Sequence, residues 1–388
     1  MGRHRGKWAV LFVSVLLLVA ACGGGSGGAS ADTIKIGVPV PLTGDYASAG
    51  EAILNAAKLA AQEINDQGGL LGKKVEVIGQ DDQCDSQVGV QAAQKLISQG
   101  IVAAVGGYCS SASIPEAGEF AKKDIPFLLD ASTNPVLTEK NPGTVFRICG
   151  RDDEQGPVAM SFMKDVLKAQ TVGIIHDNTT YAKGLAEAAR DAAESLGMTV
   201  VLFTTITPGE KDFSSTVTAV KRADPDALYF TGYHAEGGLL VKQAWEMGLR
   251  AALVVSDANQ DPTFLQTAGS AANGVYVTTA PLAEFIPAAQ GFVQKYKDTF
   301  KAPPGGFSVY EYDAMHVLLD AIKRANSTDP KAIVTALKET KDFPGITGNI
   351  TFNTQGDRSD KLYMVAVAEN GQFQPYMRIV NGQWQKVQ

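Results

Sequence analysis

The chain has 388 residues, and 41 acidic side chains against 34 lysines and arginines give a formal net charge of −7 at pH 7. No basic patch interrupts this mild negative charge, so a nucleic-acid partner is not expected. Beyond its amino-terminal segment the chain keeps roughly 360 residues, which is more than one hydrophobic core usually covers. The length therefore predicts two domains.

The amino terminus reads as a targeting segment. Arg3, Arg5 and Lys7 form a basic start, and residues 9–19 are apolar apart from Ser14. This run is shorter than the ~20 apolar residues that a membrane-spanning helix needs. A basic start, a short apolar run and small residues at its end are typical of an export signal, which we place at residues 1–21.

The sequence Val19-Ala20-Ala21-Cys22 at the end of this segment resembles the bacterial lipoprotein box. The resemblance implies that Cys22 is lipidated and becomes the mature amino terminus. Residues 22–31 are then a flexible Gly/Ser tether. The alternative is cleavage after Ala29-Ser30-Ala31, which would leave a soluble protein. We favour lipidation because the cysteine directly follows the apolar run.

From Ile34 onward, short apolar runs alternate with amphipathic helical patterns. The first half predicts strands at 34–38, 75–78, 101–105 and 125–129, and helices at 50–66, 86–99 and 112–123. The second half predicts strands at 172–175, 199–205, 227–230, 252–255, 350–352 and 363–367, and helices at 156–169, 181–196, 213–222, 235–247, 307–325 and 331–339. Such alternation favours an α/β architecture with parallel sheets. The first crossover between domains is expected near residues 147–153.

Hydroxyl side chains follow two strands of the first half. Ser110 and Ser111 come after the strand at 101–105, and Ser132 and Thr133 after the strand at 125–129. Ligands of open parallel sheets bind beyond the carboxyl ends of the strands. The first cluster also begins a helix, whose free N–H groups favour an anion. We therefore expect a small carboxylate here, although such residues are also ordinary helix caps and turn formers.

Polar residues at later strand ends form a second group, namely Tyr181, Tyr233 and Asp257. A carboxylate facing a cleft could receive an ammonium group, and the tyrosines could pack against an aliphatic chain. In the alternative interpretation, Asp257 caps the following segment and the tyrosines lie on the surface.

The four cysteines are Cys22, Cys84, Cys109 and Cys149. Export places the last three in an oxidising compartment, where disulfides form. Cys84 and Cys109 each follow a predicted strand, and neighbouring strands of one sheet could bring them together. We therefore predict a Cys84–Cys109 disulfide, with Cys149 left as a small buried hydrophobe.

Five short phrases in a fixed order carry a family resemblance. They are Gln80-Asp81-Asp82-Gln83-Cys84-Asp85, Cys109-Ser110-Ser111, Asp153-Glu154-Gln155-Gly156-Pro157, Gly209-Glu210-Lys211-Asp212-Phe213-Ser214 and Gly232-Tyr233-His234. Over nearly all of residues 32–388 the chain resembles the periplasmic leucine/isoleucine/valine-binding proteins, the substrate-binding subunits of branched-chain amino acid ABC transporters. Each phrase alone is weak, but their order and spacing are specific.

The resemblance implies a type I periplasmic binding protein fold, in which two doubly wound α/β lobes with parallel sheets are joined by a hinge and close on a ligand. Residues 32–151 plus 281–357 would form the amino-terminal lobe. Residues 152–280 plus 358–388 would form the carboxyl-terminal lobe. The family disulfide falls on Cys84 and Cys109.

The family's ligand contacts map onto residues of both groups. The positions that bind the ligand carboxylate correspond to Ser110, the backbone of Ala131, and Thr133. The positions that contact the ammonium group match only in part, at the Ala131 carbonyl, Tyr181 and Tyr233. The acidic residue of the family corresponds to Asp257.

Three positions depart from the family pattern. Asp257 is one methylene shorter than the glutamate of a familiar member, Ala49 stands where an aromatic wall is common, and Tyr108 replaces an aliphatic residue. We include Tyr108 among the ligand contacts. The preferred side-chain size is left open.

The expected function is that of a lipid-anchored, monomeric solute-binding protein on the outer face of the cytoplasmic membrane. It would deliver a branched-chain or similar small L-amino acid to an ABC permease. No cofactor is expected, and no metal either, since His176, His234 and His316 lack metal-ligand spacing. One alternative is a binding protein or sensor for another small ligand, such as an amide, urea or an aromatic acid, on the same fold. A hydrolase using Ser110 is disfavoured because no Gly-x-Ser-x-Gly elbow surrounds it.

Overall fold

The structure, a computed structural model, describes residues 33–140 and 143–387 of the chain. The predicted signal peptide, the tether and Cys22 lie outside the described residues. None of the described helices is both long and apolar enough to span a bilayer.

The amino-terminal lobe is built on a five-stranded parallel sheet with strand order β2-β1-β3-β4-β5. The strands are β1 (Ile34–Val40), β2 (Val75–Asp81), β3 (Ala103–Gly106), β4 (Phe127–Leu129) and β5 (Val145–Arg147). The helices between them are α1 (Ala47–Asp66), α2 (Ser86–Ser98), α3 (Ser110–Ala121) and the short α4 (Val136–Glu139). Strands covered by helices on both faces are apolar throughout, which explains the continuous apolar runs of the sequence.

The chain then crosses to a second sheet, which forms the carboxyl-terminal lobe. Its parallel strands are β6 (Thr171–His176), β7 (Thr199–Thr205), β8 (Ala227–Phe230), β9 (Ala252–Val255) and β10 (Tyr276–Thr279). The helices are α5 (Asp152–Asp165), α6 (Thr180–Ser195), α7 (Ser214–Ala223), α8 (His234–Glu246) and α9 (Pro262–Ala268), with a 3-10 turn at Asp257–Asn259.

After β10 the chain returns to the first lobe and then crosses again. The segment comprises α10 (Gln290–Phe300), α11 (Ser308–Ala325), α12 (Pro330–Lys338) and a hairpin of β11 (Phe343–Gly345) and β12 (Gly348–Ile350). The hydroxyl groups of Tyr296 and Ser308 both donate to the carbonyl of Ala52, at 3.1 Å, which ties α10 and α11 to α1. Three strands then complete the second sheet, namely β13 (Met364–Glu369), β14 (Gln372–Val380) and β15 (Gln383–Lys386).

The structure corrects several of the predicted elements, and it adds strands β5 and β10 and helices α9 and α10, which were not predicted. The second sheet is mixed, because β13, β14 and β15 run antiparallel, and β14 and β15 were not predicted. The strand expected at 350–352 ends at Ile350, and Phe352 forms only an isolated bridge. The helix expected from residue 112 begins at Ser110, because the extended Cys109 is its N-cap.

Candidate functional site

The turn from β3 into α3 is held by glycine and by a disulfide. Gly107 has a φ of 90°, and a Cβ there would lie 2.7 Å from the Ser113 hydroxyl oxygen, so a side chain would clash. Cys84 and Cys109 are joined by a disulfide with their Cα atoms 5.2 Å apart, and Cys149 is free and buried. Both bonded cysteines are those that the strand-end argument paired.

Ser110 lies at the amino end of α3, but its side chain does not cap the helix. The N-cap is Cys109, which makes no side-chain cap bond, and Ser111 donates its hydroxyl to the Cys84 carbonyl at 3.0 Å. Ser110 is only 1% exposed, and its hydroxyl finds no hydrogen-bond partner within the described residues. A buried hydroxyl without a partner is unfavourable, so Ser110 fits a ligand contact better than a structural cap.

The loop after β4, which carries Ala131 and Thr133, is fixed by a residue that the sequence analysis missed. The fully buried Arg147 donates to the carbonyls of Ser132 at 2.7 Å and Asn134 at 3.0 Å. Its charge is balanced by Asp357, at 2.8 Å, on a segment that crosses between the lobes. A buried ion pair with several added hydrogen bonds holds its surroundings in one geometry. The pair thus ties the candidate binding loop to the crossover.

Tyr181 and Asp257 meet in the carboxyl-terminal lobe. Tyr181 lies in the first turn of α6, and Asp257 follows β9 at the start of the 3-10 turn. The Tyr181 hydroxyl donates to Asp257 Oδ1 at 2.6 Å. Burial raises the pKa of Asp257 to about 6, while hydrogen bonds from Tyr181 and Gln155 oppose that rise. The carboxyl group is therefore mainly ionised at neutral pH, and it accepts the hydrogen bond from Tyr181.

The neighbouring buried carboxyl groups behave differently. Burial raises the pKa of Asp152 to about 8, even though a hydrogen bond from Thr133 lowers it. Burial also raises the pKa of Asp130 and of Glu311 well above the usual range. At pH 7 Asp152 is therefore mainly protonated, whereas Asp257 is mainly ionised.

A narrow cavity lies between the two lobes at this point. Its walls bring together most of the predicted contacts, namely Tyr108, Ala131, Tyr181, Tyr233 and Asp257, and add Ala258 and Phe307. Ser110 and Thr133 are buried beside this space, at the first turn of α3 and two residues beyond Ala131, and do not line it. The cavity lining therefore combines the Asp257 carboxyl group with aromatic side chains.

Tyr46 packs against two tyrosines of the cavity wall, and the sequence analysis missed it. Its ring centroid lies 4.8 Å from that of Tyr233 and 6.4 Å from that of Tyr108. Tyr46 precedes Ala49 by three residues, about one helical turn, so it presents a ring near the position that Ala49 leaves small. An aromatic residue one turn before an alanine was the signal available in the sequence.

Comparison with known proteins identifies the family. A family model described as periplasmic binding protein matches residues 33–372. The Leu/Ile/Val-binding protein homolog 2 of Brucella abortus is 33% identical over 350 residues, which cover 90% of this chain and 94% of that protein. The chain belongs to the periplasmic binding protein family.

Solved structures give the same result for the fold. A leucine-binding protein LivK of Thermotoga maritima superposes with a TM-score of 0.83 at 29% identity, covering 88% of this chain and 97% of the other. The branched-chain amino acid transporter substrate-binding protein LivJ of Streptococcus pneumoniae, solved with isoleucine, also gives 0.83, at 28% identity, covering 92% and 99%. The expected type I periplasmic binding protein fold is confirmed.

Proposed function

We propose that the protein is the substrate-binding component of an ABC transporter for a small L-amino acid, branched-chain or similar, which it captures between its two lobes. The observation that carries the proposal is the position of the buried Asp257 carboxyl group, which lines the same cavity as Ala131. A zwitterion leaving water needs a partner at each charged end, because an unpaired buried charge is unfavourable.

Each end of such a ligand has candidate partners. Asp257 and Tyr181 would receive the ammonium group, together with the Ala131 carbonyl. The unpartnered hydroxyl of Ser110, the Ala131 N–H and Thr133 would serve the carboxylate with neutral donors. Tyr233 is 2% exposed, and its hydroxyl also lacks a partner within the described residues, so it supplies a further donor to the ligand.

Calorimetric titration of the mature protein against the common L-amino acids tests the proposal. We expect at least one to bind, and its analogues without the amino group or with an amidated carboxyl group to bind much more weakly. Equal affinity for an amino acid and its analogue lacking the amino group would contradict the role of Asp257. Binding only of amides, urea or aromatic acids would move the protein to another ligand class on the same fold.

We further propose that the lobes span residues 32–151 plus 281–357 and 152–280 plus 358–388, and that they close around the ligand as a hinge. Small-angle scattering should show a smaller radius of gyration with ligand than without it. The same radius in both states would contradict closure for a free protein that starts open.

Membrane anchoring and delivery complete the proposal. Cys22 would carry the lipid, residues 22–31 would form the tether, and a monomer would hand its ligand to a membrane permease. Intact mass of the protein extracted from membranes should show a lipidated Cys22. An unmodified mature terminus at Asp32 would contradict the anchor while leaving ligand binding untouched.

A further inference from the structure

The turn after β2 contacts α3 at three points. Cys84 of this turn is bonded to Cys109, the N-cap of α3, and its carbonyl accepts the Ser111 hydroxyl at 3.0 Å. The third contact joins Asp82, the residue after β2, to Glu116 in the middle of α3, and their side chains form a hydrogen bond. The first half of α3 is therefore attached to the turn after β2 along its length.

Both segments need this support. Pro115 lies inside α3 and has no N–H, so it cannot donate to the carbonyl four residues earlier, in the first turn of the helix. In the turn after β2, Gln83 and Cys84 have φ values of 52° and 55°, a left-handed conformation that is unfavourable for residues other than glycine. Asp82 Oδ1 accepts from the Cys84 N–H at 2.8 Å and helps to hold this turn.

The hydrogen bond between Asp82 and Glu116 requires a proton. Both residues are 0% exposed. Within the described residues, neither oxygen of Glu116 nor Oδ2 of Asp82 accepts from an N–H or hydroxyl group. Two ionised carboxylates are acceptors only, and their charges repel, so one of the two groups must carry a proton. Asp82 already accepts from the Cys84 N–H, which favours its ionised form, and the proton therefore lies on Glu116.

The charged groups of the neighbouring elements do not neutralise the pair. They are Asp81 of β2, Asp85 and Lys95 at the two ends of α2, and Glu119 and Lys122 of α3, which bond to each other at 2.5 Å. Burial raises the pKa of Asp82 to about 7, and the negative charge of Asp81 raises it further. Burial and the adjacent Asp82 raise the pKa of Glu116 well above its usual range.

We infer that Asp82 and Glu116 share one proton, and that this pair positions the first turn of α3, including Ser110, against the turn after β2. Glu116 donates the proton, and Asp82 accepts it together with the Cys84 N–H. The disulfide fixes the N-cap of the helix, and the carboxyl pair fixes a second point about two turns further along. Two fixed points set the direction of the helix, which one point alone does not.

The pH dependence of stability tests the shared proton. An unfolded glutamate ionises near pH 4.3, whereas folded Glu116 keeps its proton, so unfolding at neutral pH releases that proton. The unfolding equilibrium constant should therefore rise by up to about tenfold per pH unit from this group. In Glu116→Gln the amide donates to Asp82 and has no proton to lose. Urea denaturation of the mature protein from pH 5 to pH 8 should show a dependence weakened by about one proton in this variant. The same dependence as in wild type would overturn the inference.

The matched control is Glu119→Gln on the same helix. Glu119 bonds to Lys122 near the surface, and this bond lowers the pKa of Glu119. Its carboxyl group is therefore ionised above pH 5 in both the folded and the unfolded protein. Glu119→Gln should keep the wild-type pH dependence. If it weakens that dependence as much as Glu116→Gln does, the proton does not belong to the buried pair and the inference fails.

Hydrogen exchange tests the positioning role. Glu116→Leu removes the hydrogen bond to Asp82, and Glu116→Gln supplies a neutral donor in its place. We expect mass spectrometry to show exchange at least about threefold faster in residues 107–117 of Glu116→Leu, and exchange close to wild type in Glu116→Gln. Peptides of the carboxyl-terminal lobe should exchange at the same rate in all three proteins. Unchanged exchange in residues 107–117, or an equal increase in both lobes, would overturn the positioning role.

Ligand affinity gives a third measurement, which rests on the function proposed above. Glu116→Leu should bind its amino acid at least about threefold more weakly than wild type, because the helix that carries Ser110 is less firmly placed, and Glu116→Gln should bind with nearly wild-type affinity. Unchanged affinity in Glu116→Leu would contradict the link to the ligand site. Failure of every L-amino acid to bind wild type would contradict the proposed function, whereas the pH dependence and the exchange rates would still decide the role of the pair.

Discussion

The hydroxyl of Tyr181 donates a 2.6 Å hydrogen bond to Asp257 Oδ1, joining the amino end of α6 to the segment after β9. Both side chains are buried. The bond fixes the carboxylate against the cavity wall and uses one of its oxygens. Because a carboxylate can accept several hydrogen bonds, capacity remains for an ammonium group.

Replacement of Asp257 by asparagine should lower ligand affinity strongly. The change keeps the shape and removes the charge. Loss of one partner of a buried, hydrogen-bonded charge pair typically costs about 2–5 kcal/mol, so we expect a loss of roughly 30-fold or more. The loss should appear mainly as faster dissociation, measured by stopped-flow fluorescence. An affinity within about threefold of wild type, under about 1 kcal/mol, would contradict the ammonium contact.

Ligand affinity should also fall at acid pH. The pKa of Asp257 is raised to about 6 in the free protein, and an ammonium partner favours the ionised carboxyl group. Binding below pH 6 must therefore release a proton, and affinity should drop by up to about tenfold per pH unit there. Calorimetry in buffers of different ionisation enthalpy measures that proton.

Two variants identify the titrating group. Asp257→Asn should bind weakly with little dependence on pH between 5 and 7. Asp152→Asn should retain the wild-type slope, because burial raises the pKa of Asp152 to about 8 and keeps it protonated across this range. If the pH dependence of the affinity disappears in Asp152→Asn and persists in Asp257→Asn, the released proton comes from Asp152.

Tyr46→Ala should weaken binding of every ligand by a similar factor. Tyr46 of the amino-terminal lobe packs on Tyr233 of the other lobe, and the buried His234 approaches the Asp45 carbonyl at 3.3 Å. Contacts between lobes stabilise the closed state, so their loss shifts the protein toward the open one. An aromatic pair is worth about 0.5–1.5 kcal/mol, which predicts roughly a two- to thirteenfold loss.

The matched control for this position is Tyr46→Phe. It keeps the ring and removes only a hydroxyl group at 3.5 Å from Glu236, which is a weak contact. Its affinity should stay close to wild type. If the loss of affinity in Tyr46→Ala differs widely between ligands, Tyr46 contacts the ligand directly and does not act through lobe closure.

Removal of the disulfide should lower the free energy of unfolding. The bond joins Cys84 to Cys109, which are 25 residues apart, and closing a loop of this size contributes about 3 kcal/mol on the chain-entropy model. Chemical denaturation of Cys84→Ser/Cys109→Ser should report that loss. Peptide mapping without reductant provides the control, and a fragment containing Cys149 bound to either partner would contradict the pairing.

The sequence by itself determined the fold class and the two groups of polar residues at strand ends. Parallel strands buried on both faces must be apolar, and their carboxyl ends must meet at one edge, so Ser110, Thr133 and Asp257 were selected from local pattern alone, whereas Ala131 was implied only by the family resemblance. The sequence analysis missed the mixed character of the second sheet, although a signal for it was present. Asn370-Gly371 and Asn381-Gly382 both adopt positive φ and form the hairpin turns at β14, as Asn-Gly pairs do.

Only the tertiary structure decided which side chains face one another across the lobes. Arg147 and Asp357 are 210 residues apart, and no local periodicity connects them. Tyr46 meets Tyr233 because the crossovers set one lobe against the other. Contacts between distant segments follow from the packing of whole sheets, and local propensity and periodicity do not contain that information.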